Sequence, residues 1–188
     1  MNITVRLAQL ADGPAVAPLV IDAIGDIANR ITGENTPEAI TNGLIELFNR
    51  KDNRNSHLNT YIAENDGKVA GMLIVYGGDI AIELDKNLER WLTDKNAPIQ
   101  TIEVEARKDE FYIDTLCVNP EFRGQGIGTI LLDHAEKVGA EKGYTKISLS
   151  VEQAKVRARQ LYEKIGYVYS EPWMIIGEEF DHMIKHVK

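Results

Sequence analysis

The sequence predicts an α/β protein, a mixed central sheet of about seven strands flanked by helices. Three observations carry that expectation. Stretches with a two-residue apolar period alternate with helix-period stretches in the order β-α-α-β-β-β-α-β-α-β-β. An Asp66-Gly67 pair separates two apolar runs, a strong short-range signal for an antiparallel hairpin. A strand, a glycine-rich loop, a helix and a second strand follow one another from Phe111 to Val151, and strands joined that way form a right-handed parallel crossover. A chain of 188 residues, 44% hydrophobic and 27% charged, is long and apolar enough to bury a core as a single domain, 1–188.

The elements follow in order. "NITVRLAQL" is the first strand, with Ile3, Val5 and Leu7 on one face. Asp12 stands as N-cap and Pro14 in the first turn of a helix expected to run through Ile21 to about Ala28. "ENTPEAITNGLIELFNR" opens a second helix in the same way, with Thr36 as cap and Pro37 at the first helical position. The hairpin strands run from about Thr60 to Glu64 and from about Val69 to Tyr76. Residues 78–110 form an acidic insertion between the third and fourth strands, irregular apart from a short helix in "AIELDKNLERWL". From Asp79 to Asp114 there are ten acidic residues against five basic ones.

"FYIDTLCV" is the central strand and "NPEFRGQGIG" a loop. "IGTILLDHAEKVGAEKGY" is a helix with Ile127, Leu131, Ala135 and Val138 along one side and Gly143 as its stop. "KISLSV" is the next strand, and "QAKVRARQLYEKI" the next helix, ended by Gly166. The chain closes on an antiparallel pair, from about Tyr167 to Ile176 and from Phe180 to Val187.

"RGQGIG" places three glycines in six positions where a helix begins, at up to about 1 kcal/mol each relative to alanine. An anion site offsets that cost. The first N–H groups of a helix have no backbone partners and the dipole is positive there. Glycine removes the Cβ atoms that would hold a phosphate away from those amides. A P-loop is excluded, because no Gly-Lys-Ser/Thr occurs in the chain. A dinucleotide fold fits poorly: Thr129 stands where the third glycine of its motif belongs, and the loop lies late in the chain.

A Gln/Arg-x-x-Gly-x-Gly/Ala pattern does fit, through Arg123, Gly126 and Gly128, and it follows "LCVNPEF". Further on, "ARQLYEKIGY" carries Leu-Tyr-Glu-Lys and closes on Gly-Tyr. In this order and spacing the two motifs, spanning Phe111 to Tyr167, resemble the GNAT superfamily of N-acetyltransferases.

The resemblance implies a GNAT fold in which the central strand splays from its parallel neighbour and the pantetheine arm of acetyl-CoA lies in the gap. Backbone groups of Leu116, Cys117 and Val118 would pair with that arm. Amides from Arg123 through Gly124, Gln125, Gly126, Ile127 and Gly128 to Thr129 would hold the pyrophosphate. Tyr162 takes the position of the family's tyrosine, which protonates the departing sulfur. Many members carry asparagine where this chain has Lys155; here the lysine would reach a cofactor phosphate or stand in solvent. Asp114 is the nearest acidic candidate for base or substrate anchor, with Glu103 and Glu105 upstream, and strict alternation puts it on the face of Leu116 and Val118. Cys117 reads as a small buried hydrophobe.

The implied activity is direct transfer of acetyl from acetyl-CoA to a primary amine, and the acidic insertion favours a small cationic acceptor. The insertion could equally be a solvated flap or part of a homodimer contact. The alternatives are a transferase for a protein N-terminus or lysine, and a noncatalytic acyl-CoA-binding regulatory module. A formal net charge of −8 argues against nonspecific nucleic-acid binding. No apolar run approaches the roughly 20 residues that cross a bilayer, and "MNITVRLAQL" lacks a signal-peptide pattern, so a cytoplasmic protein away from membranes is expected. His182 and His186 sit four apart without a third clustered ligand, so no metal is expected. His57 lies where the family often builds its acceptor site, or is an exposed loop residue. Trp91 and Trp173 read as core or pocket wall.

Overall fold

The computed structural model describes residues 2–187. Its sheet has seven strands in the order β1-β2-β3-β4-β5-β7-β6. The strands are β1 (Ile3–Leu7), β2 (Thr60–Asn65), β3 (Lys68–Gly77), β4 (Phe111–Val118), β5 (Lys146–Glu152), β6 (Val168–Ile175) and β7 (Glu178–His186). The helices are α1 (Gly13–Ile24), α2 (Ile27–Thr32), α3 (Pro37–Asn49), α4 (Gly78–Asp94), α5 (Ile127–Glu141) and α6 (Val156–Lys164). Every neighbouring pair is antiparallel except β4 and β5.

Two cores sandwich the sheet. Under α1 to α4, side chains such as Val16, Leu44, Leu47 and Leu92 pack on Met72, Ile74 and Tyr112. Under α5, Leu131, Leu132, Ala135 and Val138 cover Leu73, Val75, Phe111 and Ile147. Leu131 and Leu132 are wholly buried, each contributing about 2 kcal/mol by leaving water. The cap at α3 forms as the sequence indicates: Thr36 Oγ1 accepts from the Ala39 amide at 3.3 Å.

Two helices differ from expectation. The first ends at Ile24, because Gly25 (φ +53°) turns the chain, and α2 begins afresh at Ile27. Asp12 makes no cap bond to this helix; its carboxylate binds Arg6 and accepts from the Gln9 amide. The short helix of the insertion proves to be a 17-residue helix, α4, starting where β3 ends. It is part of the core: Leu88 and Leu92 are fully buried, and Trp91 donates to Glu46 Oε1 at 2.6 Å. The helix expected in "AIELDKNLERWL" lies wholly within α4, and the residues added are 78–80 and 93–94.

Two features of β4 create the site. Its parallel pairing with β5 covers only Phe111–Ile147, Tyr112–Ser148 and Ile113–Leu149, after which the strands diverge. On its other edge the register with β3 shifts between Ile74, opposite Thr115, and Val75, opposite Ile113. Asp114 is the extra residue of this bulge. The bulge resets the alternation and corrects the sequence reading. Leu116 and Val118 pack into the α5 core, whereas Asp114 contacts Tyr76 on the opposite face, where Tyr112 and Cys117 also lie.

Candidate functional site

Where β4 and β5 separate, a cavity of about 600 Å³ opens between them. β4 from Tyr112 to Val118 forms one wall and the end of β5 the other; the α1–α2 turn, Tyr162 of α6 and the β6–β7 turn at Ile176 complete it. Asp114, Leu116, Cys117, Val118, Arg123, Lys155 and Tyr162 therefore share one cavity, although they come from separate stretches of the sequence.

The hydrogen-bond phase of β4 determines which backbone groups face the gap. The Asn119 amide donates to Ala70 O at 3.0 Å, and alternation from that bond turns the amides and carbonyls of Cys117 and Thr115 toward β3. Leu116 and Val118 then direct theirs into the splay. Val118 O accepts from Arg123 Nε at 3.1 Å, and the other side of that guanidinium pairs with Asp22 of α1. The Cys117 thiol lies 3.5 Å from Asp22 Oδ2, and burial pushes its pKa up to about 11, so it is a protonated, packed side chain.

At the mouth, the glycine loop enters α5. Gly126 occupies the N-cap position with φ +81°, and Gly124 has φ +75°. A Cβ at either position would meet no atom within 4 Å, so the surface above both is open. Gln125 is exposed, Gly128 and Thr129 are half-buried, and the Ile127 side chain fills the α5 core, leaving only its amide for a ligand. Of this loop, only Arg123 borders the cavity. An open glycine cradle at a helix N-terminus, beside a strand edge with free amides, fits the pyrophosphate and pantetheine of coenzyme A.

Tyr162 is half-buried, its ring edge-on to Tyr167 with centroids 6.1 Å apart. Among the described residues its hydroxyl has no hydrogen-bond partner. Burial raises its pKa, so it stays a proton donor at neutral pH. Lys155 donates to Ala23 O at 3.0 Å and pairs with Glu152 at 3.5 Å.

A charge cluster at the inner end joins two of the acids named from the sequence, Glu105 and Asp114, to an arginine that was not. Arg54, 3% exposed, lies among Asp85 (2.8 Å), Glu105 (2.6 Å) and Asp114 (3.3 Å), and also donates to Glu103 O. Tyr76 donates to Asp114 Oδ1 at 3.1 Å, and Tyr112 to Glu105 Oε2 at 2.9 Å. Burial pushes the Asp85 carboxyl up to about 6 and raises that of Asp114, with Arg54 opposing both shifts. A buried arginine in a polar loop has no periodic signature, so Arg54 was not singled out from the sequence.

The histidines serve structure. His57 is buried, its Nδ1 2.9 Å from Phe48 O, and lies outside the cavity. His182 is enclosed, with Nε2 3.0 Å from Glu110 Oε2 and Nδ1 3.2 Å from Ser150 Oγ. Trp91 is core, while Trp173 covers His182 and donates to Val104 O at 3.0 Å.

Comparison with known proteins accords with this architecture. A crystal structure described as an acetyltransferase superposes with TM-score 0.82 at 28% identity, over 98% of this chain and all of that one. An N-acetyltransferase from Staphylococcus aureus Mu50 superposes with TM-score 0.78 at 23% identity, over 96% of this chain and 99% of that one, and shows the shared fold. Among curated proteins, thialysine N-epsilon-acetyltransferase of Bos taurus is 36% identical over 55 residues, 29% of this chain and 32% of that protein's length. The chain thus spans about a third of the length of that relative. The model of the acetyltransferase (GNAT) family matches residues 26–167, three quarters of the sequence, and the chain belongs to that family.

Proposed function

We propose that the protein is an acetyl-CoA-dependent N-acetyltransferase, moving acetyl directly to a primary amine of a small cationic molecule. One observation carries the reading: a strand edge that turns the amides of Leu116 and Val118 into the splay, a tyrosine without a partner, and a buried carboxylate border the same cavity. The bovine relative's name specifies an amino-group acceptor, which supports the amine class. The loop after α4 is tied to β6 by Trp173 and by the Arg107–Glu171 pair, and this closed side favours a small acceptor over a protein terminus.

In this reading acetyl-CoA lies along β4, its pantetheine amides paired with Leu116 and Val118 and its pyrophosphate on the amides from Arg123 to Thr129. The acceptor arrives as an ammonium and gives one proton to Asp114. The free amine attacks the acetyl carbonyl carbon, the new C–N bond forms and the C–S bond breaks. Tyr162 protonates the departing sulfur and is restored by the second proton that the nitrogen loses as the amide forms, while the proton on Asp114 passes to solvent. One proton is released per turnover.

The test is thiol release from acetyl-CoA with panels of polyamines, amino acids, aminoglycosides and short peptides, run on wild type and Tyr162→Phe. Turnover of small amines that the variant largely loses is the expected result. Tight coenzyme A binding without turnover of any acceptor would favour the regulatory module, and absence of coenzyme A binding would overturn the reading.

A further inference from the structure

Beside the divergence of β4 and β5 stand three polar side chains that the transfer mechanism leaves unused. Ser150 of β5 lies one residue past Leu149, the last to pair with β4, and it borders the cavity while only half-buried. Its Oγ is 3.2 Å from Nδ1 of His182, its partner across the ladder on β7. His182 Nε2 is 3.0 Å from Oε2 of Glu110, which also accepts from the Arg107 amide at 3.2 Å.

A hydroxyl, an imidazole and a carboxylate linked in that order activate a serine as a nucleophile. Burial pulls the Glu110 carboxyl upward, but bonds from His182 and Ser148 more than offset it and hold Glu110 below its ordinary range. An ionised Glu110 can only accept, so the imidazole carries its proton on Nε2 and turns a bare Nδ1 toward Ser150. His182 has a structural place as well, packed against the rings of Tyr112 and Trp173 with centroids 6.3 and 4.9 Å away, and that packing fixes the orientation a base needs. The Tyr112 hydroxyl gives its own proton to Glu105. Glu110 is 1% exposed and His182 wholly buried, so Ser150 is the end of the chain that a ligand in the cavity meets.

We propose that Ser150, His182 and Glu110 form a second catalytic group, one that hydrolyses the acetyl thioester when no amine is bound. Ser150 Oγ attacks the acetyl carbonyl carbon as its proton passes to His182 Nδ1. The new C–O bond forms, the C–S bond breaks, and the sulfur takes that proton and leaves as the free thiol. Water then attacks the acetyl-serine carbonyl carbon and gives a proton to Nδ1; the ester C–O bond breaks and the proton returns to Ser150. Acetyl-CoA and water become coenzyme A and acetic acid, which ionises to acetate. The activity goes beyond amine transfer and rests on acetyl-CoA lying along β4 as in that reading.

The experiment supplies acetyl-CoA in amine-free buffer to wild type, Ser150→Ala and Glu110→Gln. Acetate and free thiol are measured, and acid-quenched samples are digested for mass spectrometry of peptide 147–155, which contains Ser150. Wild type should release acetate and thiol in equal amounts, faster than the protein-free control, and carry one acetyl group on Ser150. Ser150→Ala should lose that group and fall to the protein-free rate. Glu110→Gln keeps the shape but not the charge that steadies an imidazolium, and should slow acetate release by at least about tenfold. Circular dichroism verifies folding, and the acetyl group on wild-type Ser150 decides the matter should a variant unfold. If wild type releases no acetate above the control, if Ser150→Ala keeps the wild-type rate, or if Ser150 carries no acetyl group, the hydrolase is overturned and the acetyltransferase reading stands. Wild type that binds no coenzyme A in calorimetry overturns both.

Discussion

The Tyr76 hydroxyl donates to Asp114 Oδ1 at 3.1 Å, from one face of the bulge in β4. Asp114 also meets Arg54, Glu105 and the Thr115 hydroxyl. Burial raises its pKa, while Arg54 and the bonds from Thr115 and Tyr76 oppose the rise. A base must be ionised to act, so the rate of a transferase using Asp114 should climb with pH through a range above that of an ordinary aspartate. Tyr76→Phe removes a bond that favours the ionised form. The acid limb of its kcat/KM profile is expected at higher pH than in wild type; an unmoved limb would rule Asp114 out as the base.

Tyr162→Phe keeps the ring against Tyr167 and removes only the hydroxyl. Proposed as the proton donor to sulfur, the hydroxyl should be worth roughly a hundredfold in kcat, the lower range for general acid catalysis. Steady-state kinetics should show that loss with KM for acetyl-CoA nearly unchanged. A variant with wild-type kcat would return Tyr162 to a packing role.

The two glycines of the loop should respond differently to alanine. Gly126, at φ +81°, would carry a strained L-residue costing about 1–2 kcal/mol, visible as a lowered Tm and weaker coenzyme A binding. Gly128 lies inside α5, and its Cβ would make only an ordinary 3.7 Å contact with Val118. Gly128→Ala should leave Tm unchanged or raised by helix propensity, with any loss confined to coenzyme A affinity.

Asp85 gives stability a pH dependence of definite sign. Its folded pKa, about 6 through burial opposed by Arg54, lies above the model-peptide value near 3.9. A carboxyl shifted upward contributes stability fully present below the unfolded pKa and lost as pH rises through about 6. Asp85→Asn, which carries no titrating proton, should gain in Tm relative to wild type as pH passes from about 5 to about 7. Thermal melts across that range measure the difference, and a constant offset would contradict the shift.

Much of this was legible in the chain. Thr36 and Pro37 announced α3, Asp66-Gly67 the hairpin, and Arg123, Gly126 and Gly128 the loop at the head of α5, because caps, turns and positive-φ glycines are local chemistry. α4 runs beyond the short helix read at residues 81–92 because a Gly77-Gly78 pair reads as a turn until the packing around it is known.

What the sequence by itself determined is the set of elements, the parallel crossover and the loop motif, since each follows from periodicity and backbone preference within a few residues. Only the tertiary structure decided the face of Asp114 and the company of Arg54. A bulge depends on the register with β3, which no single strand encodes. The cluster draws its acids from α4, from the loop after it and from β4, and its arginine from the segment before β2. Charges so far apart in the chain meet only when the sheet and its helices pack, and burial then sets their protonation.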